Sequence, residues 1–491
     1  MLKAVLFDLG NTLIDVSTWK EKFPKAIINF LFSSYSVPKN VAKEKLKITL
    51  EEVEKISKTN PHIDKIREAA RIYSSLLKET GYSIQEEEIV KFTIQFRDKN
   101  LRPMPYAKQT LNFLKKKGFS LYLISDGRKD RVKKFLEFLK IEELFTEIFI
   151  SEEEETTKKE RLFEAFFNST KLNPKECLMV GNDPESDGTA LRYGIPFCLI
   201  STDKITENYT FKISSLKDLK KVLEFFNKEP QLTCKLCGKK VKNKILCNSC
   251  KNKLEKDIKE DQYAISLISD VSEFTNSKFE DTFEKILNGP LIVREEWIEK
   301  WPTTEEEVNK FYKENTSYIY DLSLVYLHKN WRDQNKEIVS YVVKNNFSTA
   351  MDFGSGIGQL ALELSEAGID VSCVDVSEYL LKYLRFRADK RGRKIKLYKE
   401  IPNEKFDIVI ATDVLEHLWK PEEVLNKLCS HANKAIAITF RPFRMEDVLH
   451  PMHLQRNAEK KKIFDSILSS NGFFLEASGL PRGLEIWRKK E

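Results

Sequence analysis

The fold of the N-terminal part is decided by the stretch Val5-Leu6-Phe7-Asp8-Leu9-Gly10-Asn11-Thr12. Its apolar run predicts a buried strand, and Asp8 stands where that strand ends, just before a turn at Gly10. A carboxylate in this place suits phosphoryl transfer, because it can attack phosphorus while a magnesium ion neutralises the charge of the phosphate. The sequence therefore predicts a site at the carboxyl end of the first strand.

Short β-rich runs alternate with amphipathic helices from residue 1 to about residue 228. The predicted strands are Ala4–Asp8, Ser120–Ser125, Glu147–Ile150, Cys177–Gly181 and Phe197–Ile200. A long helical stretch separates the first two strands. This alternation predicts a parallel sheet with helices on both faces, and the helical insertion would lie over the carboxyl edge, where such sheets bind ligands.

Polar residues follow the later strands in the order that a phosphoryl-transfer site needs. The hydroxyl of Ser125 ends the second core strand, and Lys158 precedes a helix. Two acids, Asp183 and Asp187, follow the strand Cys177–Gly181. Since parallel strands end at one edge, these groups are expected to converge there.

In order and spacing, these motifs resemble the haloacid dehalogenase superfamily over about the first 200 residues. The resemblance implies that Asp8 is the nucleophile and that Ser125 and Lys158 hold the phosphate, with Lys158 also among the catalytic residues. It implies a mobile cap at about residues 16–100 that selects the substrate. The implied magnesium ligands are Asp8, the backbone carbonyl of Gly10, Asp183 and Asp187, the last in a supporting role.

Gly10 departs from the family pattern. Phosphatases of this family usually carry a second aspartate two residues after the nucleophile, as general acid and base. A carbonyl at Gly10 can still bind metal, but protonation of the leaving group loses its usual residue. Two interpretations stay open: an active phosphohydrolase, or a non-catalytic domain that binds a phosphorylated ligand.

Four cysteines form the pattern C-x2-C-x9-C-x2-C: Cys234, Cys237, Cys247 and Cys250. The two-residue spacing lets both thiolates of a knuckle reach one tetrahedral ion, and Gly238 permits a tight turn. Four thiolates leave no open position, so the sequence predicts a structural zinc ion. The surrounding lysines allow a nucleic-acid contact, but no aromatic residue lies between them, which favours a solvated linker.

A second glycine-rich turn follows a predicted strand at Met351-Asp352-Phe353-Gly354-Ser355-Gly356-Ile357-Gly358. Glycines here let the backbone approach a ligand at the start of the next helix. The pattern is G-x-G-x-G, and Gln359 occupies the position where a dinucleotide fingerprint needs its third glycine. Asp375 ends the next strand, where a carboxylate can accept both ribose hydroxyls. The third motif is the segment 406–418, which contains Asp413 and His417.

These three motifs resemble class I S-adenosylmethionine-dependent methyltransferases, close in pattern to the O-methyltransferases of ubiquinone biosynthesis, over about residues 340–491. The resemblance implies that Asp375 binds the ribose and that Asp413 lies beside the region of methyl transfer. His417, with His450 and His453, is a candidate general base or substrate contact. The residues implied at the methionine end of the cofactor are Asp352, Gly354, Gly356 and Gly358.

The fold class predicted for the 491 residues is α/β, with two doubly wound Rossmann-like domains joined by a zinc ribbon and a helical linker. The linker is expected to be broken at Gly289-Pro290. The predicted domains are 1–228 (hydrolase), 229–256 (zinc ribbon), 257–340 (helices preceding the methyltransferase) and 341–491 (methyltransferase).

The composition of the chain limits which binding partners and cellular locations are expected. A net charge of +7 is small for this length and gives no global case for nucleic-acid binding. No signal peptide or membrane span is expected, and the cysteine usage predicts a cytoplasmic protein. The expected function is methyl transfer to a small molecule, fused to magnesium-dependent hydrolysis of a phosphorylated metabolite. The alternatives are a methyltransferase with a non-catalytic partner domain, and an RNA-directed methyltransferase that uses the zinc ribbon.

Overall fold

The computed structural model of the chain describes residues 2–60, 62–203, 209–227, 230–327, 332–441, 449–455 and 460–490. The chain divides into two compact units, Met1–Val222 and Leu223–Glu491. Among the described residues, every helix is too short or too polar to cross a bilayer. The finer domain boundaries stay predictions.

The first unit is built on a six-stranded parallel sheet with the strand order β5-β4-β1-β6-β7-β8. Its strands are β1 (Ala4–Phe7), β4 (Ser120–Ser125), β5 (Glu147–Ile150), β6 (Cys177–Gly181), β7 (Phe197–Ile200) and β8 (Phe211–Ile213). A short antiparallel pair, β2 (Ile14–Asp15) with β3 (Arg102–Pro103), brackets the helical insertion. All four residues of β1 are buried, as expected for a central strand covered on both faces.

The helical insertion has its own hydrophobic core, formed around Ile27, Leu31, Tyr73 and Leu77. It consists of α1 (Ser17–Tyr35), α2 (Lys39–Thr59), α3 (Lys65–Lys78) and α4 (Glu86–Asn100). This confirms the long helical stretch predicted after the first strand. The remaining helices of the unit are α5 (Ala107–Lys116), α6 (Lys129–Leu139), α7 (Leu162–Thr170) and α8 (Leu219–Glu224), whose last residues open the second unit.

After the end of α8, the second unit continues with a β-hairpin, β9 (Gln231–Thr233) and β10 (Lys240–Lys242). Six helices follow: α9 (Asn248–Glu260), α10 (Gln262–Phe274), α11 (Phe279–Lys300), α12 (Glu305–Glu314), α13 (Tyr318–Leu327) and α14 (Asp333–Lys344). Helix α12 begins at a capped end, because the Thr304 hydroxyl accepts a hydrogen bond from the backbone N–H of Glu307.

The predicted break at Gly289-Pro290 is wrong, because α11 runs through both residues. A Cβ atom placed on Gly289 would lie 2.5–2.6 Å from backbone atoms of Tyr320 and Asp321. The glycine therefore lets α13 approach the backbone of α11. Proline inside a helix costs about 3 kcal/mol, and this close packing of buried residues offsets that cost.

A seven-stranded sheet completes the second unit, with the order β13-β12-β11-β14-β15-β17-β16. Its strands are β11 (Thr349–Phe353), β12 (Asp370–Val374), β13 (Lys396–Tyr398), β14 (Phe406–Ala411), β15 (Ala432–Ile438), β16 (Phe473–Ala477) and β17 (Glu485–Lys489). The pairs β15–β17 and β16–β17 are antiparallel and the other pairs are parallel. The helices between them are α15 (Gln359–Glu366), α16 (Glu378–Lys390), α17 (Pro421–His431) and α18 (Lys460–Ser470).

Both faces of this sheet are buried. Ile408 and Ile410 of β14 belong to one hydrophobic cluster, and Val409 and Ala411 belong to another. Because side chains alternate along a strand, the two clusters lie on opposite faces. The predicted α/β class, with two Rossmann-like sheets, is confirmed.

Candidate functional sites

A buried lysine joins the predicted carboxylates at the edge of the first sheet. The Lys158 Nζ lies 2.6 Å from Asp8 Oδ1 and 2.5 Å from Asp187 Oδ1. The exposed fractions of the three residues are 2%, 8% and 1% for Lys158, Asp8 and Asp187. Burial alone would lower the pKa of Lys158, but the carboxylates of Asp187 and Asp8 outweigh it and raise that pKa. Lys158 is therefore a permanent cation between two acids 150 and 29 residues away in sequence.

Backbone groups hold the second acid in place. Asp187 Oδ2 accepts hydrogen bonds of 2.9 Å from the N–H groups of Asn182 and Asp183. The carboxylate of Asp183 is exposed and accepts from the N–H groups of Glu185 and Ser186. This arrangement suits a supporting role for Asp187, and direct binding of metal by Asp187 stays a prediction.

Ser125 ends β4 and is 5% exposed, beside a residue that sequence reasoning missed. Asp126 accepts one hydrogen bond from the backbone N–H of Lys158 and one from the hydroxyl of Ser186, at 2.9 and 2.8 Å. It thereby fixes the lysine loop against the loop that follows β6. The sequence signal that could have identified Asp126 is its position directly after Ser125 at the end of β4.

The turn at Gly10 has room for a side chain. A Cβ atom built there would meet only Val16 Cγ2, at 3.6 Å, an ordinary van der Waals contact. Thr12 donates towards Asp8 Oδ2 at 3.2 Å and towards Asn182 at 3.3 Å. Carboxylate and carbonyl oxygens are the donors that Mg²⁺ prefers, so Asp8, Asp183 and the Gly10 carbonyl have suitable chemistry for it.

The four cysteines converge as predicted. Their sulfur atoms all lie within 4.8 Å of one another, and Cys237 and Cys247 are 3.6 Å apart. Tetrahedral zinc with Zn–S bonds of about 2.3 Å requires sulfur separations of about 3.8 Å. The set therefore fits a zinc ion. Gly238 has a positive φ of 71° in the first knuckle, which confirms the tight turn.

Helix α9 supplies the other knuckle. Cys247 precedes its first residue, and Cys250 lies in its first turn. Burial alone would raise the pKa of the Cys234 thiol, but hydrogen bonds from backbone N–H groups of the knuckles lower that pKa to about 6. A thiolate is therefore available at neutral pH, which is the form that binds metal.

The glycine loop after β11 needs glycine at two positions for steric reasons. A Cβ on Gly354 would lie 2.7 Å from Val414, and one on Gly358 would lie 2.1 Å from Leu384. Both residues also have positive φ, as does Gly356. Val414 and Leu384 pack against one side of the loop. Its backbone is therefore presented at the carboxyl edge of the sheet.

Two acids flank this loop. Asp375 accepts hydrogen bonds from the N–H groups of Gly356 and Ser377, at 2.8 and 2.9 Å. Asp352 is 4% exposed, and burial, with repulsion from Asp375, raises its pKa to about 7. The structure thus brings together Asp352, the glycines and Asp375, as the sequence predicted.

Arg387 is a residue of this region that sequence reasoning missed. Its guanidinium is 1% exposed and donates to the Ile357 carbonyl at 2.9 Å and to the Gln359 side chain at 2.6 Å. It also pairs with the buried Asp270 of α10 at 3.3 Å. Arg387 therefore ties the glycine loop to the helical layer, and no sequence motif marks it.

Replacing Arg387 by methionine should weaken binding of S-adenosylmethionine about tenfold and lower the free energy of unfolding by about 2–4 kcal/mol. The reason is that the loop loses its anchor while Asp270 stays buried. Calorimetric titration and denaturant unfolding measure the two effects, with Arg385→Met on the exposed face of α16 as the control. Unchanged affinity in a destabilised variant would contradict the positioning role.

Asp413 lies at the end of β14 beside two arginines. Burial alone would raise the pKa of Asp413, but the guanidinium groups of Arg482 and Arg441 hold that pKa well below its usual range. Arg482 Nη2 lies 2.8 Å from Asp413 Oδ2. The Asp413 N–H donates to the Thr439 hydroxyl at 2.6 Å. Both arginines were missed by sequence reasoning, since they lie outside the three motifs.

His417 belongs to a polar group with Glu416, which is buried, and His453, which like His417 is half-buried. One ligand atom of each lies within 4.8 Å of the others, so the group could hold a metal ion. Glu416 is 1% exposed, and neither of its carboxylate oxygens has a hydrogen-bond partner among the residues that the structure describes. Within the described residues, two sets of three or more His, Cys, Asp or Glu side chains lie close enough together to hold a metal ion: this group and the four cysteines. Asp8, Asp183 and Asp187 do not form such a set.

Two family models match the chain. A haloacid dehalogenase-like hydrolase model matches residues 2–194, and a methyltransferase domain model matches residues 351–434. A glyceraldehyde 3-phosphate phosphatase of Methanothermobacter thermautotrophicus is 31% identical over 198 residues, which cover 38% of this chain and 80% of that protein.

The C-terminal similarity is shorter. A ubiquinone biosynthesis O-methyltransferase of Bordetella avium is 32% identical over 83 residues, which are 15% of this chain and about a third (34%) of that protein. Among solved structures, a HAD phosphatase from Thermococcus onnurineus aligns with a TM-score of 0.34 and 20% identity, over 45% of this chain and 98% of that one. The family model that matches residues 2–194 and the 31% identity to the phosphatase show that the N-terminal part of this chain belongs to the haloacid dehalogenase-like hydrolases, and it is fused to a C-terminal methyltransferase domain.

Proposed function

We propose that the methyltransferase domain moves a methyl group from S-adenosylmethionine to a small-molecule acceptor, and that the hydrolase domain releases phosphate from a phosphorylated metabolite with the help of Mg²⁺. The observation that carries the first activity is the glycine loop held between Asp352 and Asp375. The observation that carries the second is Lys158 placed between Asp8 and Asp187. A fused pair of this kind suits two steps on the same or related metabolites.

S-adenosylmethionine supplies the electrophilic methyl group when it is bound. Asp375 would accept the two ribose hydroxyls, since each of its oxygens keeps a lone pair beside its present backbone hydrogen bond. Asp352 and the N–H groups of the glycine loop would hold the methionine end. Asp413, fixed by its arginines, would border the transfer region.

His417 is the proposed general base for the acceptor. Burial and the nearby His450 lower its pKa to about 4, so its ring is neutral at physiological pH. Its Nδ1 lies 2.9 Å from the Tyr312 hydroxyl and 3.4 Å from the Met452 carbonyl. A carbonyl can only accept, which favours a proton on Nδ1 and leaves the lone pair of Nε2 to take a proton from the acceptor.

Replacing Asp375 by alanine should weaken binding of S-adenosylmethionine about 100-fold, because two hydrogen bonds to a charged acceptor are lost. Isothermal titration of the full chain measures this. The matched control is Asp370→Ala, an exposed acid at the other end of β12. No binding by the folded, zinc-loaded wild type would refute the methyltransferase proposal.

For the hydrolase, we propose that Asp8 attacks the phosphorus and displaces the alcohol of the phosphomonoester, while Ser125 and Lys158 hold the phosphoryl oxygens. Water then hydrolyses the acyl phosphate on Asp8 and releases phosphate. The Mg²⁺ ligands would be Asp8, the Gly10 carbonyl and Asp183, with Asp187 positioning Lys158. Charge on the transferring group would then be offset by Lys158 and the metal. Phosphate release from glyceraldehyde 3-phosphate, which gives the related phosphatases their name, is a direct first assay.

Gly10→Asp should raise the rate of phosphate release about tenfold, the low end of what general acid–base catalysis contributes. The turn accepts a side chain without a clash, since Gly10 does not have positive φ and Val16 is 3.6 Å away. Steady-state rates compare the variant with Gly10→Asn, which has the same size and no acid. Equal rates for the two variants would argue against proton transfer as the missing function.

The assay also separates the two remaining interpretations of this domain. Release of phosphate that depends on Asp8 supports the hydrolase. Tight binding of a phosphorylated compound without turnover would support a ligand-binding domain. The third interpretation, delivery of the methyltransferase to RNA by the lysine-rich zinc knuckles, requires salt-dependent retention on RNA.

A further inference from the structure

Three segments of the second unit meet at His417. The first is the short turn Leu415–His417, which follows β14. The second is the loop 449–455, which is fastened to this turn because two of its N–H groups donate to the carbonyl of Glu416 at 2.8 and 3.3 Å. The third is helix α12, which brings the hydroxyl of Tyr312 to 2.9 Å from His417 Nδ1.

Helix α12 is attached to its surroundings at both ends. Just beyond its C-terminal end, the side-chain amide of Asn315 donates to the carboxylate of Glu296 on α11 at 2.6 Å. At its N-terminal end, Glu305 pairs with Lys420, which follows the turn of the proposed base, at 3.2 Å. The position of Tyr312 is therefore set by the helical layer and by the methyltransferase loop together.

The Nδ1 atom of His417 faces two oxygen atoms. Besides the Tyr312 hydroxyl, the carbonyl of Met452 lies 3.4 Å from Nδ1 and 3.5 Å from that hydroxyl. One arrangement satisfies all three groups: Nδ1–H donates to the tyrosine oxygen, and the tyrosine O–H donates to the carbonyl. In the reverse arrangement the tyrosine donates to Nδ1, and neither group has a proton left for the carbonyl. The first arrangement is favoured, because polar groups inside a protein are generally paired.

Tyr312 is a neutral partner for the imidazole. Burial raises the pKa of its phenol, so the hydroxyl stays protonated at physiological pH. A carboxylate in this place would favour the charged imidazolium, whereas a phenol orients the ring without adding negative charge. His417 thereby keeps an unprotonated Nε2, which is the atom that can accept a proton.

We propose that Tyr312 is a positioning residue for methyl transfer: its hydroxyl oxygen accepts the Nδ1–H of His417 and so holds the Nε2 lone pair towards the methyl acceptor. This rests on the proposed function, in which His417 is the general base. As the acceptor takes the methyl group, its proton passes to Nε2, and the tyrosine oxygen stabilises the charge that forms on the ring. Tyr312 lies outside residues 351–434, which match the methyltransferase model, so the helices before the sheet would contribute to the active site.

The test compares the tautomer of His417 in the wild type and in Tyr312→Phe. Nitrogen-15 NMR of the full chain, labelled at histidine, distinguishes a protonated ring nitrogen from an unprotonated one, and His417→Gln identifies the signals. The wild type should carry its proton on Nδ1. Tyr312→Phe should place the proton on Nε2 in a large fraction of the molecules, because the remaining contact, with the Met452 carbonyl at 3.4 Å, is long for a hydrogen bond.

Tyr318→Phe is the matched control, since it removes a nearby buried hydroxyl that has no hydrogen-bond partner among the described residues. It should leave the tautomer of His417 unchanged. With a metabolite extract as the source of acceptor, release of S-adenosylhomocysteine should fall at least about tenfold in Tyr312→Phe, because the base is held in the wrong tautomer. Affinity for S-adenosylmethionine, measured by calorimetric titration, should stay the same in both variants.

The outcomes separate this proposal from the methyltransferase function. A proton on Nε2 in the wild type, or a proton that stays on Nδ1 in folded Tyr312→Phe, would overturn the role of Tyr312. Methyl transfer at an unchanged rate in Tyr312→Phe would overturn it as well. These results leave the methyltransferase proposal intact as long as the chain binds S-adenosylmethionine, whereas a folded wild type that binds none refutes that proposal itself.

Discussion

Replacing Lys158 by methionine should reduce the rate of phosphate release at least about 1,000-fold. Lys158 is the buried cation that faces both Asp8 and Asp187, and it is the group placed to offset charge on a transferring phosphoryl group. Methionine keeps much of the volume but leaves two buried carboxylates facing each other. The free energy of unfolding should therefore fall by about 3–5 kcal/mol at neutral pH, the cost of removing one partner of a buried ion pair.

The loss of stability in this variant should depend on pH. Burial already raises the pKa of Asp187 to about 7 in the wild type, against the opposing effect of Lys158, and removal of that cation should raise it further. The folded state then binds more protons, so stability declines as pH rises from about 5 to 8. In the wild type the pKa of Lys158 is raised, so its stabilising contribution is fully present below its unfolded value and is lost only as pH rises through the folded one.

Denaturant unfolding at several pH values and a phosphate-release assay measure both effects. The matched control is Lys159→Met, because Lys159 is the neighbouring lysine, has a side chain that is 55% exposed, and pairs with Glu185 at the surface. A Lys158→Met protein that keeps its activity would show that charge at this position is dispensable. Equal stability at pH 5 and pH 8 would show that the two carboxylates do not interact.

Removing the predicted zinc ion from the four-cysteine cluster should unfold the segment from about residue 230 to 260. A hairpin of two three-residue strands and one helix buries few residues, chiefly Leu232, Ile245, Leu246, Leu254 and Ile258. Structural zinc contributes about 10–16 kcal/mol to folding of small zinc domains. Without it, the thiolates of the cluster lose the cation that holds them together.

The purified chain should contain about one zinc ion, measured by atomic emission. Chelation or Cys250→Ser should release it and broaden the amide resonances of this segment. Ser249→Ala, an exposed position between Cys247 and Cys250, is the control. An intact segment in metal-free protein would contradict the structural role. Phosphate release with Mg²⁺ restored should persist, because Asp8 and Lys158 belong to the other compact unit.

Much of the two sheets could be predicted from sequence, because buried parallel strands appear as short apolar runs. Strands β4, β5, β6 and β7 have the predicted bounds, and the glycine loop follows its strand as expected. The exception, Gly289-Pro290, shows the limit of local signals. Backbone propensity predicts a break there, and contact with α13 overrides it.

The sequence by itself determined the groups that stand next to strand ends and turns. Asp8, Ser125, Asp375 and the cysteine pairs are positioned by local chain geometry, so neighbouring residues reveal them. Only the tertiary structure decided which distant charges meet. Arg387 reaches the glycine loop, and Arg441 and Arg482 reach Asp413, all across long separations in sequence. The physical reason is that long charged side chains act where packing carries them, and packing is set by the whole chain.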